Sequence, residues 1–378
     1  MRIALHTPLN LFDDGGVSGD RRMARQLVAA LEMLGHVVEP VRAGRGYLPS
    51  ADAACLASHR ADAARLRDAL LAGYRSGAPR PDLWFTYHNY YRAPDLLGPE
   101  IAAALDIPYV TAEASDSERR AFDEWSAQTD IVRRGLDAGD VHFYFTDRDR
   151  QGLEPWRRPG IDLVELPPFI AFDTEPPQRR THAGPPRLIT IAMMREGTKQ
   201  NSYLALARIL ARIPDAEWRL SIIGDGRQRG TIEHAFARLP QERIDWLGLI
   251  PRERALDELA KHDVFVWPGV REAYGLVYLE AQAVGLPVAA FDSGGVSATV
   301  VAGQTALLAT EGDEAAFAEN LVLLLQDKAR RERMGTAARR FVLEERTTAR
   351  AAAQLAQGLD LACSYRRDKI AAARPAAS

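Results

Sequence analysis

The chain has 378 residues, 47% of them apolar and 26% charged, with a net charge of −3, which is the composition of an ordinary globular protein. A sequence isoelectric point near 6.3 argues against a nucleic-acid surface, so any affinity for phosphate must come from local geometry. No run approaches the roughly 18 apolar residues of a membrane span, and Cys55 and Cys363 lack metal-ligand spacing, which predicts a reducing compartment without a disulfide framework.

The length exceeds the size at which one hydrophobic core stops growing, so two domains are the default. The opening run Ile3-Ala4-Leu5 is too short for a signal peptide and reads as a first strand. The expected location is the cytoplasm, and attachment to the inner membrane face stays compatible with this composition.

A polar loop from Thr7 to Asp20 follows, containing Gly15-Gly16, and apolar residues at Met23, Leu27, Val28, Leu31 and Leu34 then mark a helical stripe. Gly35 closes it and Val37-Val38 starts the next strand. Strand, glycine-rich loop, helix and strand make a βαβ opening, and such sheets bind ligands beyond the carboxyl ends of their strands. Ala51 to Leu71 and Ser115 to Leu136 read as helices. Strands are predicted at Leu83 to His88, Ile107 to Thr111, Val141 to Thr146 and Ile161 to Leu166. The segment Asp173 to Pro186, with Pro176, Pro177, Gly184, Pro185 and Pro186, has linker composition.

Alternation then resumes, with strands predicted at Leu188 to Ala192, Trp218 to Ile223, Ile244 to Leu247, Val264 to Trp267 and Val288 to Phe291, and helices between them. Glu314 to Leu359 reads as helical and Arg366 to Ser378 as a frayed tail. The fold class expected is α/β, with two Rossmann-like doubly wound parallel sheets facing across a cleft. The domains expected are 1–172, 173–350, and a helix with its frayed tail over 351–378 that returns toward the first domain.

One stretch concentrates chemistry. After Pro268-Gly269 breaks a buried strand, Glu272 and Glu280 stand eight residues apart around Gly275. A helix from Gly275 to Val284 places Glu272 in the loop before it and Glu280 inside it. Its first-turn N–H groups suit a phosphate, and the carboxylates suit sugar hydroxyls. The alternative is a solvent-facing amphipathic helix with two surface glutamates.

Glu272-Ala273-Tyr274-Gly275-Leu276, Glu280-Ala281 and Gly285-Leu286-Pro287-Val288 resemble the signature of the retaining family 4 glycosyltransferases, part of glycosyl transferases group 1. Gly224-Asp225-Gly226, Leu247-Gly248, Gly294-Gly295 and Gly303-Gln304-Thr305-Ala306-Leu307-Leu308 match further family segments in order. The resemblance is strongest from Arg187 to Arg340. It implies the glycosyltransferase-B fold and transfer of a sugar, hexosyltransferase-type, from a nucleotide-diphosphate-sugar to a hydroxyl acceptor. No cofactor beyond that co-substrate is implied, and the reaction that the resemblance implies is metal-independent.

By the same resemblance, Glu280 binds the ribose hydroxyls and Glu272 faces the transferred sugar, while the N–H groups of Tyr274, Gly275, Leu276 and Val277 meet the diphosphate. Arg195 and Lys199 neutralise the leaving group, and Gly224 forms the glycine turn of the donor side. Gly15 and Gly16 approach the phosphates, and His88 points toward the transferred sugar. Family members keep the anomeric configuration by a front-face displacement, with domain closure over the donor.

Plainer readings stand beside these roles: solvated loop charges for Arg195 and Lys199, a simple turn for Gly15-Gly16, a polar strand end for His88, and packing for Tyr87, Tyr90 and Tyr91. The chain departs from the family pattern at Met194-Arg195, at Lys199-Gln200 and at Leu166-Pro167-Pro168-Phe169-Ile170. Two rival functions are a non-catalytic nucleotide- or sugar-binding protein and a dinucleotide-dependent oxidoreductase. The oxidoreductase needs a third glycine where Arg229 stands.

Overall fold

The computed structural model describes residues 1–10, 12 and 18–373; Gly15 and Gly16 lie outside the described residues. Two units emerge, one of Met1–Pro167 with Thr348–Ser378 and one of Pro168–Thr347.

In the first unit, β1 (Arg2–His6), α1 (Gly19–Met33), β2 (Val37–Pro40), α2 (Ala53–Arg75) and β3 (Leu83–Asn89) are followed by α3 (Gly98–Leu105) and β4 (Tyr109–Ala114). The series continues with α4 (Glu118–Ala121), α5 (Ser126–Ala138), β5 (Val141–Tyr144), α6 (Asp147–Leu153) and β6 (Asp162–Glu165). The sheet order is β2-β1-β3-β4-β5-β6, every pair parallel. A parallel sheet covered on both faces needs near-continuous apolar strands, and β3 is buried along its whole length. The strand order changes direction between β1 and β3, the position where doubly wound sheets open a crevice.

In the second unit, β7 (Arg187–Ile191), α7 (Thr198–Ala211), β8 (Arg219–Ile223), α8 (Arg229–Phe236), β9 (Ile244–Gly248), α9 (Arg252–Leu259) and β10 (Val264–Val266) run in turn. They lead to α10 (Leu276–Ala283), β11 (Val288–Asp292), β12 (Ala306–Thr310), α11 (Glu314–Gln326) and α12 (Lys328–Glu345). The order β12-β11-β10-β7-β8-β9 is the two-halves Rossmann arrangement, with its switch point between β7 and β10. The final helix, α13 (Thr348–Ala373), belongs to the first unit.

Several expectations need correction. The helix read over Ser115 to Leu136 is two helices, because the Asp123 carboxylate accepts the Trp125 N–H at 2.8 Å and an Arg120 bond at 2.7 Å, a local alternative to helical pairing. Helices α3 and α6 were not anticipated; Thr146 and Asp149 form the capping box that starts α6. The single helical stretch from Glu314 is three helices, with Asp327 accepting the Arg330 N–H at the start of α12.

The tail does not fray at Arg366. Arg366 donates to Asp106 at 3.3 Å and Lys369 to Asp140 at 2.7 Å, so α13 stays helical through Ala373. The proline-rich segment is likewise no loose tether. Asp263 receives Arg179, His182 and the Arg187 N–H at 2.8, 2.6 and 2.9 Å. The unit boundary falls earlier, at Pro167, where Ile170 N–H donates to Arg346 O at 2.9 Å and binds that stretch to the second unit. The other edge of that unit is Thr347, just ahead of α13.

Candidate active site

Both switch points carry polar constellations. In the second unit, chain leaving β7 and chain leaving β10 meet. Lys199, in the first turn of α7, donates to Glu272 Oε2 at 2.5 Å, and the indole N–H of fully buried Trp267 donates to the same oxygen at 3.2 Å. The Lys199 ammonium also lies 5.7 Å from the Trp267 ring centroid, within cation–π range. Glu272 is therefore held from two sides, by a cation and by a rigid aromatic donor.

Its backbone is held just as closely. Glu272 N–H donates to Gly269 O at 3.1 Å and Glu272 O accepts Gly295 N–H at 2.9 Å. Gly294, at φ 59°, has no room for a Cβ, which would collide with the Glu272 carbonyl. Arg271 N–H donates to Ser293 Oγ at 2.7 Å, and Ser293 donates onward to Glu311. Burial and the neighbouring Glu272 charge push the Tyr278 phenol well above its ordinary value, so Tyr278 stays a neutral donor, at 3.1 Å from Trp267 O.

Gly275, at φ 79°, is the N-cap of α10. A Cβ there would press on the Tyr278 ring at 2.7 Å and on Glu272 Cγ at 3.2 Å. Leu276 and Val277 fill the first helical positions, whose N–H groups have no intrahelical acceptor. Tyr274 is buried just ahead of them, and its carbonyl accepts Thr299 Oγ1 at 3.2 Å. Glu280, one turn into α10, accepts Arg252 Nε at 2.9 Å, and Arg252 also donates to Ala171 O at 3.0 Å. No local pattern marks Arg252, since only the fold brings α9 beside α10.

Gly224 shapes this edge from below. Its N–H donates to Gly248 O at 2.9 Å, and a Cβ would strike the Ala192 carbonyl. Met194 N–H then donates to Asp225 O at 2.9 Å, lacing the exits of β7 and β8. Arg195, next along, is exposed, and the structure joins Lys199, Trp267 and Glu272.

In the first unit, His88 ends β3 at φ 68°, a conformation uncommon outside glycine and concentrated at functional positions. A small recess is lined by Thr7, Asn10, Phe12, Asp20, Arg21, Ala24, Tyr87 and His88. His88 Nε2 is buried without a hydrogen bond among the described residues, 3.9 Å from Asp20 Oδ1, and Nδ1 is 3.9 Å from Glu113 Oε2, both beyond hydrogen-bond range. Burial lowers the His88 pKa against the charge of Asp20 and a hydrogen bond to the Glu113 backbone, so the ring is neutral at pH 7. Tyr87 donates to Glu113 at 2.9 Å, and its ring lies 4.0 Å from the imidazole. Glu113, not singled out in the sequence, is thus the carboxylate beside His88. Ser18 makes no side-chain cap for α1; Asp20 instead receives Asn10 at 3.3 Å.

Residues 172–341 match the sequence pattern of the family described as glycosyl transferases group 1. This stretch belongs to that family. The group 1 segment takes in Lys199, Glu272 and Glu280, with the turns around them. A GDP-mannose-dependent monoacylated alpha-(1-6)-phosphatidylinositol monomannoside mannosyltransferase of Corynebacterium glutamicum is 36% identical over 196 residues, covering 49% of this chain and 50% of the relative. A D-inositol 3-phosphate glycosyltransferase of Pseudarthrobacter chlorophenolicus is 31% identical over 281 residues, covering 66% and 64%. The chain thus spans about half the length of the first of these relatives.

Likeness of fold extends well beyond the group 1 segment. A sucrose-phosphate synthase from Thermosynechococcus elongatus superposes with a TM-score of 0.71 at 19% identity over 98% of this chain and 99% of that one. HepE of Anabaena in complex with UDP gives 0.69 at 14% identity over 95% and 100%. The fold is the glycosyltransferase-B fold. Among the described residues no helix is long and apolar enough to cross a membrane.

Proposed function

We propose that this protein is a retaining glycosyltransferase that moves a sugar from a nucleoside-diphosphate-sugar to a hydroxyl acceptor. The observation that carries the reading is the Lys199–Glu272–Trp267 constellation at the β7/β10 switch point, ahead of the first turn of α10. The names of the relatives, one GDP-mannose-dependent and one a D-inositol 3-phosphate glycosyltransferase, agree with this chemistry, as does the UDP bound to HepE.

In this reading the diphosphate rests on the N–H groups of Gly275, Leu276 and Val277, and Lys199 turns from Glu272 toward the phosphates. Glu272, released from Lys199 but still held by Trp267, accepts hydroxyls of the sugar. Glu280 accepts the ribose hydroxyls in exchange for Arg252. The bond from the anomeric carbon to the phosphate oxygen breaks as the acceptor oxygen bonds to that carbon on the same face. The acceptor proton passes to the departing diphosphate, whose charge Lys199 and Arg195 stabilise. In the first unit we assign His88 to a ligand hydroxyl, as a neutral imidazole whose buried Nε2 lacks a protein partner among the described residues.

The test is transfer, or slow hydrolysis, of a panel of nucleotide sugars, with the configuration of the product read by NMR. A retained configuration, lost in Lys199→Ala and Glu272→Gln, is the expected outcome. Nucleotide-sugar binding without any hydrolysis or transfer would instead make the protein a binder.

A further inference from the structure

A second recess, of about 430 Å³, lies wholly within the first unit. It is lined by Arg60, Ala64 and Arg67 of α2, Leu96 and Pro99 at the start of α3, and Ile131 and Arg134 of α5. That volume falls in the range of small-molecule pockets. None of these residues belongs to the constellations around Glu272 or His88.

The sequence sets up the α2 wall. Arg60, Ala64 and Arg67 follow i, i+4, i+7 and so share one helix face, and the small Ala64 leaves space between two long cations. The neighbouring stripe, Ala63, Leu66, Leu70 and Tyr74, packs on the core of the unit, so burial of that stripe fixes where the arginine stripe points. Arg134 enters from α5. Its neighbour Gly135 is packed tightly, since a Cβ there would stand 2.8 Å from Asn89 Nδ2, which holds α5 close to the strand end. Leu96 and Ile131 belong to a small apolar cluster with Leu56 and Trp125 and give the recess an apolar wall.

Charge does not cancel within it. Arg67 is paired with Glu100. Asp95, at the base, is fully occupied: its oxygens receive His6 at 3.0 Å, the N–H groups of Leu97 and Gly98 at 2.9 Å, Thr86 at 2.5 Å and Tyr109 at 3.0 Å. Burial alone would raise the Asp95 carboxyl, but His6 and these donors hold it well below the usual range. Arg60 and Arg134 are left with no carboxylate partner among the described residues. Two guanidinium forks on one recess suit the tetrahedral oxygens of a phosphate, which arginine binds in bidentate fashion.

We infer that this recess is a separate binding site for a phosphate ester with a small, partly apolar body, either free or as the headgroup of a lipid. Arg60 and Arg134 hold the phosphate, and Leu96, Pro99 and Ile131 take the organic part.

The experiment uses the full chain. Glycerol 3-phosphate is titrated by calorimetry as the free ester, and phosphatidylglycerol vesicles are tested by cosedimentation against phosphatidylcholine vesicles as the lipid-borne one. Wild type is compared with the Arg60→Ala/Arg134→Ala double variant and with Arg65→Ala, which removes a charge from the same helix, where Arg65 pairs with Asp62. The expected result is binding of one of the two probes with at least a tenfold loss in the double variant, little change in Arg65→Ala, and unaltered affinity for a nucleoside diphosphate. Which probe binds identifies the source. No binding of either probe, equal binding by wild type and double variant, or an equal loss in Arg65→Ala would overturn the assignment. Both substituted arginines are exposed, so the double variant retains the fold.

Discussion

Lys199 and Glu272, 73 residues apart in the chain, form an ion pair at the point where the second sheet reverses its strand order. The pair is partly exposed, with 31% of the lysine side chain accessible, and such pairs contribute little to stability. Its placement at the mouth of the sheet matters more than its strength. Each partner neutralises the other, and under the proposed function a diphosphate would compete for the lysine.

Lys199→Ala and Glu272→Gln should therefore leave the melting temperature within about 2 °C of wild type. They should lower kcat for transfer roughly 10²- to 10³-fold, the scale seen when one preorganised charge-stabilising donor is removed. Parallel thermal melts and steady-state kinetics check this, and a large loss of stability with modest loss of rate would count against the site.

Glu280 tests the nucleotide side. Glu280→Ala should weaken binding of a nucleoside diphosphate roughly tenfold or more, the loss expected for hydrogen bonds to a charged acceptor. Arg252→Ala, which removes a partner of that carboxylate together with the bond to Ala171 O, should change affinity less. Calorimetric titration of both variants separates the two effects.

Gly294 sets the position of Glu272 through its backbone. A methyl group at φ 59° collides with the Glu272 carbonyl, and both the backbone strain and the clash favour displacement of that loop. Gly294→Ala should cost roughly 2 kcal/mol or more of stability and depress turnover, with crystallography or hydrogen exchange showing the shift at residues 270–275.

Gly358 makes the corresponding test for α13. Alanine gains about 1 kcal/mol of helix propensity over glycine, yet a Cβ at this position would penetrate the ring of Phe143, which is fully buried in β5. Overpacking costs of about 1–3 kcal/mol outweigh the gain, so Gly358→Ala should lower the denaturation midpoint.

His142 predicts the acid side of the stability curve. Burial lowers its pKa from 6.5 to about 4, while Thr111 Oγ1 and Leu136 O hold the neutral ring at 2.8 and 3.0 Å. Above pH 6.5 neither the folded nor the unfolded form is charged, and the group has no pH effect. As pH falls from 6.5 to 4 only the unfolded chain takes up the proton, so stability declines by about 3 kcal/mol and then levels off. Chemical denaturation at several pH values should show this slope, reduced in His142→Gln.

Much of the architecture was legible because burial on both faces of a parallel sheet requires apolar strands, and these stand out at Leu83 to His88 and Val264 to Trp267. The short helices α3 and α6 were not, since α6 holds a single large apolar residue, Leu153, and α3 only Ile101 and Leu105, too few to mark a stripe. The frayed tail failed for a different reason: Arg366 and Lys369 read as solvent charges until Asp106 and Asp140 are known to face them. At the candidate site, Glu272, Gly275 and Glu280 showed themselves through motif order, whereas Arg252, Trp267 and Glu113 had no local signal.

By itself the sequence determined the two successive βα series, the helix that begins after Gly275 and the residue types presented there, because periodicity and backbone freedom are properties of neighbouring residues. Which cation meets which carboxylate was decided only by the tertiary structure. Lys199 reaches Glu272, Arg252 reaches Glu280, and Arg60 and Arg134 stay without acids among the described residues, because charge pairing depends on distances that strand order and helix packing set across tens of residues.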